Sequence, residues 1–106
     1  MMTGTVASAA VLTLVGRQAQ GSDPVVHTIR IQAFEFTPNQ LEVSVGDTVR
    51  WVNEDLASHT ATSDDSSWDT GEITNGGAAD IVVAESMATE YYCAFHPHMR
   101  ASLVIT

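Results

Sequence analysis

The chain has 106 residues, enough for one domain with a single hydrophobic core. Thirteen acidic residues against four arginines and no lysine give a net charge of −9, which argues against nucleic-acid binding through a basic surface. The single cysteine, Cys93, excludes an internal disulfide, a paired-cysteine zinc knuckle and the paired-cysteine attachment of c-type haem.

The first 21 residues differ in composition from the rest of the chain. An apolar run over residues 6–16 is followed by Ala19-Gln20-Gly21, a candidate small-residue cleavage site. No Lys or Arg precedes the run, so we interpret residues 1–21 as a shortened signal peptide or an N-terminal anchor. Residues 22–106 would then form the mature domain, with no membrane span, in a periplasm or on the outer face of a cell.

The mature part has the two-residue period of half-buried β-strands. His27, Ile29 and Ile31 alternate with their neighbours, and His27 would lie on an edge strand. Gly46-Asp47 predicts a turn that joins its flanking strands in a hairpin. Further strands are predicted at residues 41–45, 48–53, 59–62, 79–84, 89–93 and 102–105. Seven or eight short strands with frequent turn signals indicate an all-β, Greek-key β-sandwich.

The segment around the end of the second-last predicted strand and the loop after it contains the most candidate metal ligands. Cys93, His96 and Met99 offer a thiolate, an imidazole and a thioether within seven residues. One thiolate, two imidazoles and a weak axial thioether are the ligands of a blue-copper site. The spacing therefore predicts three of four copper ligands in one loop at the end of the sandwich, where loops commonly carry sites.

The second imidazole must come from elsewhere in the chain. His59 is the favoured candidate because it follows a strand and a short loop. His27 lies early on its strand, and His98 is too near His96 to reach the same ion easily. Met99 has an alternative use as a core residue that fills the sandwich end, and both uses are compatible.

With these residues in view, the sequence resembles the small cupredoxins, the type 1 blue copper proteins, and among them the amicyanin, pseudoazurin and plastocyanin-like group. The resemblance covers most of residues 27–106 and is most specific in the Cys-x-x-His-x-x-Met loop. It implies that His59, Cys93 and His96 are strong copper ligands and that Met99 is the weak axial ligand. It also implies that Thr60 stiffens the site through an N–H group directed at the Cys93 sulfur.

The sequence departs from the family at two places. Residues 87–89 stand where the family usually has Gly-Thr-Tyr, and Ala101 stands where a glycine commonly follows the loop methionine. If those positions need a left-handed backbone, each non-glycine residue costs about 1 kcal/mol.

The function that these residues predict is one-electron transfer by a mobile, monomeric carrier rather than catalysis. Redox partners would dock transiently at apolar residues around His96, namely Leu56, Ala57, Phe95 and Pro97, and acidic residues would steer a basic partner. The alternative is a periplasmic copper carrier or storage module. A nitrite-reductase-like enzyme is disfavoured because the sequence offers no second histidine cluster.

Overall fold

The computed structural model describes residues 23–106, and residues 1–22, with the predicted signal peptide or anchor, lie outside the described residues. In the described part of the chain, eight strands form two four-stranded mixed sheets. The strands are β1 (Val26–Gln32), β2 (Glu35–Thr37), β3 (Gln40–Val43), β4 (Thr48–Asn53), β5 (Thr62–Ser63), β6 (Ala78–Val82), β7 (Glu90–Cys93) and β8 (His96–Ile105). The prediction of an all-β, Greek-key β-sandwich with seven to eight strands is confirmed.

The strand order is β2-β1-β4-β6 in one sheet and β3-β8-β7-β5 in the other. Strand β1 runs parallel to β4, and β3 runs parallel to β8, while the other pairs are antiparallel. Within residues 23–106 no helix is long and apolar enough to cross a membrane.

The hairpin predicted around Gly46-Asp47 is wrong. Strands β3 and β4 belong to different sheets, so the turn at this position carries the chain from one layer of the sandwich to the other. The turn itself is present, because Asp47 N donates to Ser44 O over 3.0 Å. A turn motif fixes only local geometry, whereas the partner of each strand is decided by which apolar faces meet in the core.

Other boundaries also differ from the prediction. Strand β1 lies between β2 and β4, so the prediction that it is an edge strand is wrong. Strand β2 pairs with it only from Arg30 onward, so His27 itself has a partner strand on one side only. Strand β8 begins at His96 rather than near residue 102, and β2 was not predicted. His59 forms an isolated bridge with Ile73, and strand pairing begins only at Thr62.

The core is built from side chains of both sheets around an aromatic group. Trp51 and Tyr91 are fully buried, their ring centroids are 5.4 Å apart, and Trp51 Nε1 donates to the Tyr91 hydroxyl over 3.3 Å. Phe36 and Trp68 pack on Tyr91 with centroid distances of 4.9 and 5.6 Å. Burial raises the pKa of Tyr91 well above its ordinary value, and the Trp51 N–H only partly offsets this. Tyr91 is therefore a neutral core residue.

The positions where the sequence departs from the family do not strain the backbone. Within residues 23–106, the non-glycine residues of positive φ are Ala33, Phe34, Ser66 and Ser86, and none of them belongs to residues 87–89 or is Ala101. Ala101 lies within β8, where its backbone is extended. The cost of about 1 kcal/mol for each departure therefore does not arise.

Asp47 ties together the end of the sandwich where His27 lies. Its carboxylate accepts hydrogen bonds from His27 Nε2 at 2.8 Å, Ser44 N at 2.9 Å and Val25 N at 3.0 Å. These bonds, with that from His27 the largest cause, lower the pKa of Asp47 to about 2. An unfolded-chain Asp has a pKa of about 3.9, so these bonds stabilise the fold above that pH, and their contribution is lost as the pH falls through the folded-state pKa.

We therefore expect the Asp47→Asn variant to be less stable than the wild type at pH 7 and to lose less stability between about pH 4 and pH 2. The measurement is denaturant unfolding of the metal-free proteins at a series of pH values. The exposed Glu85 provides a control, as Glu85→Gln should leave the profile unchanged. Parallel profiles for wild type and Asp47→Asn would contradict the assignment.

Candidate metal centre

Three of the predicted ligands meet at one end of the sandwich. The Nδ1 atoms of His59 and His96 each lie 3.6 Å from the Cys93 sulfur, and one ligand atom from each residue lies within 4.8 Å of the other two. Transition-metal bonds of about 2.0 Å to imidazole and about 2.3 Å to thiolate bring such atoms to roughly this separation. The donor atoms of His59, Cys93 and His96 therefore fit one ion.

The environment of the three side chains differs. His59 and Cys93 are fully buried, whereas His96 is only partly buried. Cys93 ends β7, and the chain reverses at Ala94 and Phe95 so that His96 pairs with Cys93 across the turn. The ligand segment is thus a tight turn between two strands, not the longer loop that the sequence predicted.

Met99 lies within β8, three residues beyond His96, and is 3% exposed. It belongs to the hydrophobic core cluster together with Cys93 and Leu103. Met99 therefore packs in the core, as the alternative interpretation predicts. Because the two uses are compatible, this packing does not exclude Met99 as a ligand. The other two histidines lie elsewhere: His98 is exposed, and His27 binds Asp47.

The loop that carries His59 is held by buried polar groups. Asn53 is fully buried, and its Nδ2 donates to Ala57 O at 2.8 Å and to Ile73 O at 2.9 Å. The Asn53 side-chain oxygen accepts from Asp55 N at 2.8 Å. The backbone of His59 exchanges two hydrogen bonds with that of Ile73. These bonds fix the direction from which the imidazole enters the site.

Asp55 sets which nitrogen of His59 is free. His59 Nε2 lies 2.9 Å from Asp55 Oδ2, so Nε2 carries the proton that is donated to the carboxylate. The Nδ1 lone pair is left facing the Cys93 sulfur. Burial of Asp55 by itself would raise its pKa, but bonds from Phe34 N, Ala33 N and His59 outweigh it and hold the pKa below the usual range.

Thr60 connects the two ligand segments. Its backbone N–H donates to the Cys93 sulfur over 3.3 Å, which confirms the contact implied by the resemblance. Its hydroxyl also accepts a hydrogen bond of 2.8 Å from Ala94 N, in the turn after Cys93. One threonine thus holds both the Cys93 sulfur and the backbone that follows it.

Two residues of this site were not recognised in the sequence. Phe34 packs edge-on against both imidazoles, with centroid distances of 5.1 Å to His59 and 4.9 Å to His96. In the sequence, Asp55 is not distinguished from the other acidic residues that would steer a basic partner. The four-residue spacing of Asp55 and His59 was the available signal, but it has meaning only once the loop geometry is known.

Comparison with known proteins agrees with this geometry. The model of the family described as Cupredoxin-like domain matches residues 4–105, so the chain belongs to the cupredoxin-like family. No curated protein matches the chain significantly.

Several solved structures share the fold. A methionine-to-alanine mutant of amicyanin in its Cu(I) form is 25% identical with a TM-score of 0.69, over 83% of this chain and 88% of that one. A purple cupredoxin from Nitrosopumilus maritimus is 26% identical with a TM-score of 0.69, over 76% and 99%. A copper-containing nitrite reductase from Thermus scotoductus is 26% identical with a TM-score of 0.68 over 80% of this chain, but the match covers only 23% of that enzyme.

Proposed function

We propose that this protein is a type 1 blue copper protein that carries single electrons between redox partners. His59, Cys93 and His96 supply the strong ligands, and Met99 supplies the weak axial thioether. The observation that carries the proposal is the placement of two imidazole Nδ1 atoms at 3.6 Å from one buried cysteine sulfur. Two imidazoles, one thiolate and a nearby thioether are the donor set that suits copper in both oxidation states.

Bound copper supplies a one-electron couple between its Cu(II) and Cu(I) forms. The protein contributes a frame in which the donor atoms need not move. Asp55 holds the ring of His59, and Thr60 holds the Cys93 sulfur and the turn after it. Cys93 and His96 are paired across the turn between β7 and β8. Ligands that are fixed in advance reduce the reorganisation that accompanies each transfer.

His96 is the proposed point of electron entry and exit. It is the partly buried ligand, whereas His59 and Cys93 are fully buried. Exposed apolar side chains belong to the same segments as the ligands, with Leu56 92% exposed and Phe95 52% exposed. Together with Pro97 and Ala57 they form the docking patch, which suits weak, transient contact with a redox partner.

We propose that the carrier is a monomer and that its redox partner is basic. The distribution of charged side chains supports the basic partner. Each arginine in the described part of the chain is paired with a carboxylate: Arg30 with Glu54, Arg50 with Asp80 and Arg100 with Asp64. The remaining acidic residues therefore dominate the surface potential, which would steer a positively charged protein toward the molecule.

We infer that the protein turns over no substrate. In residues 23–106, the group His59, Cys93 and His96 is the one cluster of three metal-binding side chains. The similar nitrite reductase is a much longer chain, and its activity is not carried over by a match to 23% of its length.

We further propose that residues 1–21 direct export or anchor the protein, and that residues 22–106 work as an independent domain outside the cytoplasm.

The test is to load the purified protein with Cu(II) and record its visible absorption, EPR spectrum and voltammogram. An intense thiolate-to-Cu(II) band, the EPR spectrum of type 1 copper and a reversible one-electron wave are expected. A colourless protein that binds only Cu(I) and passes it to an acceptor would favour the copper-carrier alternative. Failure to bind copper in either state would overturn both.

A further inference from the structure

An exposed phenylalanine in a strained turn stands beside the metal centre. Ala33 and Phe34 have φ values of +55° and +60° in the turn between β1 and β2. This left-handed region is unfavourable for residues with a Cβ and is mostly left to glycine and asparagine. The Phe34 ring remains 45% exposed, so burial in the core does not explain its position. Strain of this kind persists where the surrounding structure enforces it.

The enforcing group is the carboxylate of Asp55. Its Oδ1 accepts a hydrogen bond of 2.8 Å from Ala33 N, and its Oδ2 accepts one of 2.9 Å from Phe34 N. The same Oδ2 lies 2.9 Å from His59 Nε2. One carboxylate therefore ties the turn that presents Phe34 to the imidazole that Phe34 covers.

Phe34 also lines a surface cleft beside the centre. The cleft is bounded by Phe34, Phe36, Asn39, His98 and Met99, among others. The Phe34 ring stands edge-on to both imidazoles, with interplanar angles of 87° to His59 and 88° to His96. The ring is thus in contact with the ligand side chains and with a cleft that is open to solvent.

We propose that Phe34 is a shield that keeps small molecules in this cleft from reaching the metal centre, and that Asp55 is the positioning residue that holds the shield closed. A centre that admits no external ligand passes electrons without binding a substrate, whereas an accessible one binds exogenous anions. The proposal rests on the proposed copper function but concerns a property of the metal-free protein as well.

The first test measures the rate at which iodoacetamide alkylates Cys93 in the metal-free protein. Phe34→Ala should raise this rate by at least about tenfold, because the ring covers the two imidazoles that flank the Cys93 sulfur. The control is Val45→Ala, which shortens an apolar side chain of similar exposure in the turn that precedes β4, whereas the loop of His59 follows β4. Phe34→Leu should restore most of the protection, because it keeps much of the bulk. Circular dichroism and thermal unfolding check that the variants are folded.

The second test uses copper-loaded protein. Azide should change the visible spectrum of Phe34→Ala but not those of the wild type and Val45→Ala. A copper chelator should remove the metal from Phe34→Ala faster than from these two proteins by about tenfold or more. Asp55→Asn should change both readouts in the same direction, because an amide cannot accept all three hydrogen bonds of the carboxylate.

Equal alkylation rates in Phe34→Ala and Val45→Ala would overturn the shielding role. Unchanged behaviour of Asp55→Asn would overturn the positioning role. A wild-type protein that binds no copper but whose Cys93 is exposed by Phe34→Ala would refute the copper function and leave the shield standing.

Discussion

The Cys93→Ser variant should lose the intense visible band of the copper-loaded protein completely. The band requires a thiolate bound to Cu(II), and a serine hydroxyl is a hard, protonated oxygen that does not replace it. Copper binding should also weaken by at least about tenfold, since loss of even an outer hydrogen-bond partner of a metal ligand has effects of that size. Serine has nearly the same shape, so the buried turn around position 93 should remain folded.

Absorption and EPR spectra of the two proteins, loaded with equal copper, provide the measurement. His98→Ala is the matched control, because His98 is exposed, belongs to the same segment and lies outside the cluster of ligand atoms. It should retain the band. A band that survives in Cys93→Ser, or disappears in His98→Ala, would show that the ligands are assigned wrongly.

Replacement of Trp51 by alanine should lower the free energy of unfolding by about 3–5 kcal/mol, the range found for large aromatic residues in protein cores. Trp51 is fully buried and packs on Tyr91 at a centroid distance of 5.4 Å and on Trp68 at 5.7 Å. The substitution leaves a cavity and removes the N–H group that donates a hydrogen bond to the Tyr91 hydroxyl. The free energy of unfolding of a small domain is about 5–15 kcal/mol in total, so the substitution would remove much of the stability.

The measurement is urea unfolding of the metal-free protein, because a bound ion would add its own binding energy to the folded state. Leu56→Ala is the control, since Leu56 is 92% exposed and its removal should change stability by less than about 0.5 kcal/mol. A loss below about 1 kcal/mol for Trp51→Ala would mean that the core can collapse around the gap.

The loop that carries Asp55 and His59 holds both a metal ligand and the turn that positions Phe34. Asn53 and the backbone of Ile73 fix the entry of His59, and Asp55 then orients both its ring and the turn of Phe34. A single substitution at Asp55 should therefore affect the metal centre and its access together. Variants of Phe34 separate the two effects, because they leave the carboxylate in place.

Much of the fold could be predicted because its signals are local. The alternation of Ile29 and Ile31 with exposed residues reports a half-buried strand, and the structure buries these two side chains completely. The three donors of the segment from Cys93 to Met99 are close in sequence, so any compact turn brings them near one another. These features depend on neighbours a few residues away, which sequence patterns record directly.

The pairing of the strands and the surroundings of the metal centre could not be predicted, because they depend on contacts between residues far apart in the sequence. The Gly46-Asp47 turn has the same local chemistry whether it joins a hairpin or crosses between sheets, and only the packing of the two apolar faces selects the crossing. The bond from Thr60 to Cys93 spans 33 residues, and that from Phe34 to Asp55 spans 21.

The fold class, the acidic surface and the donor types of the proposed site can thus be read from the residues alone. Packing of the two sheets places His59 beside Cys93 and His96, Asp55 against the His59 ring and Phe34 over both imidazoles. Donor chemistry belongs to each residue separately, whereas distance, burial and access arise only where distant segments meet.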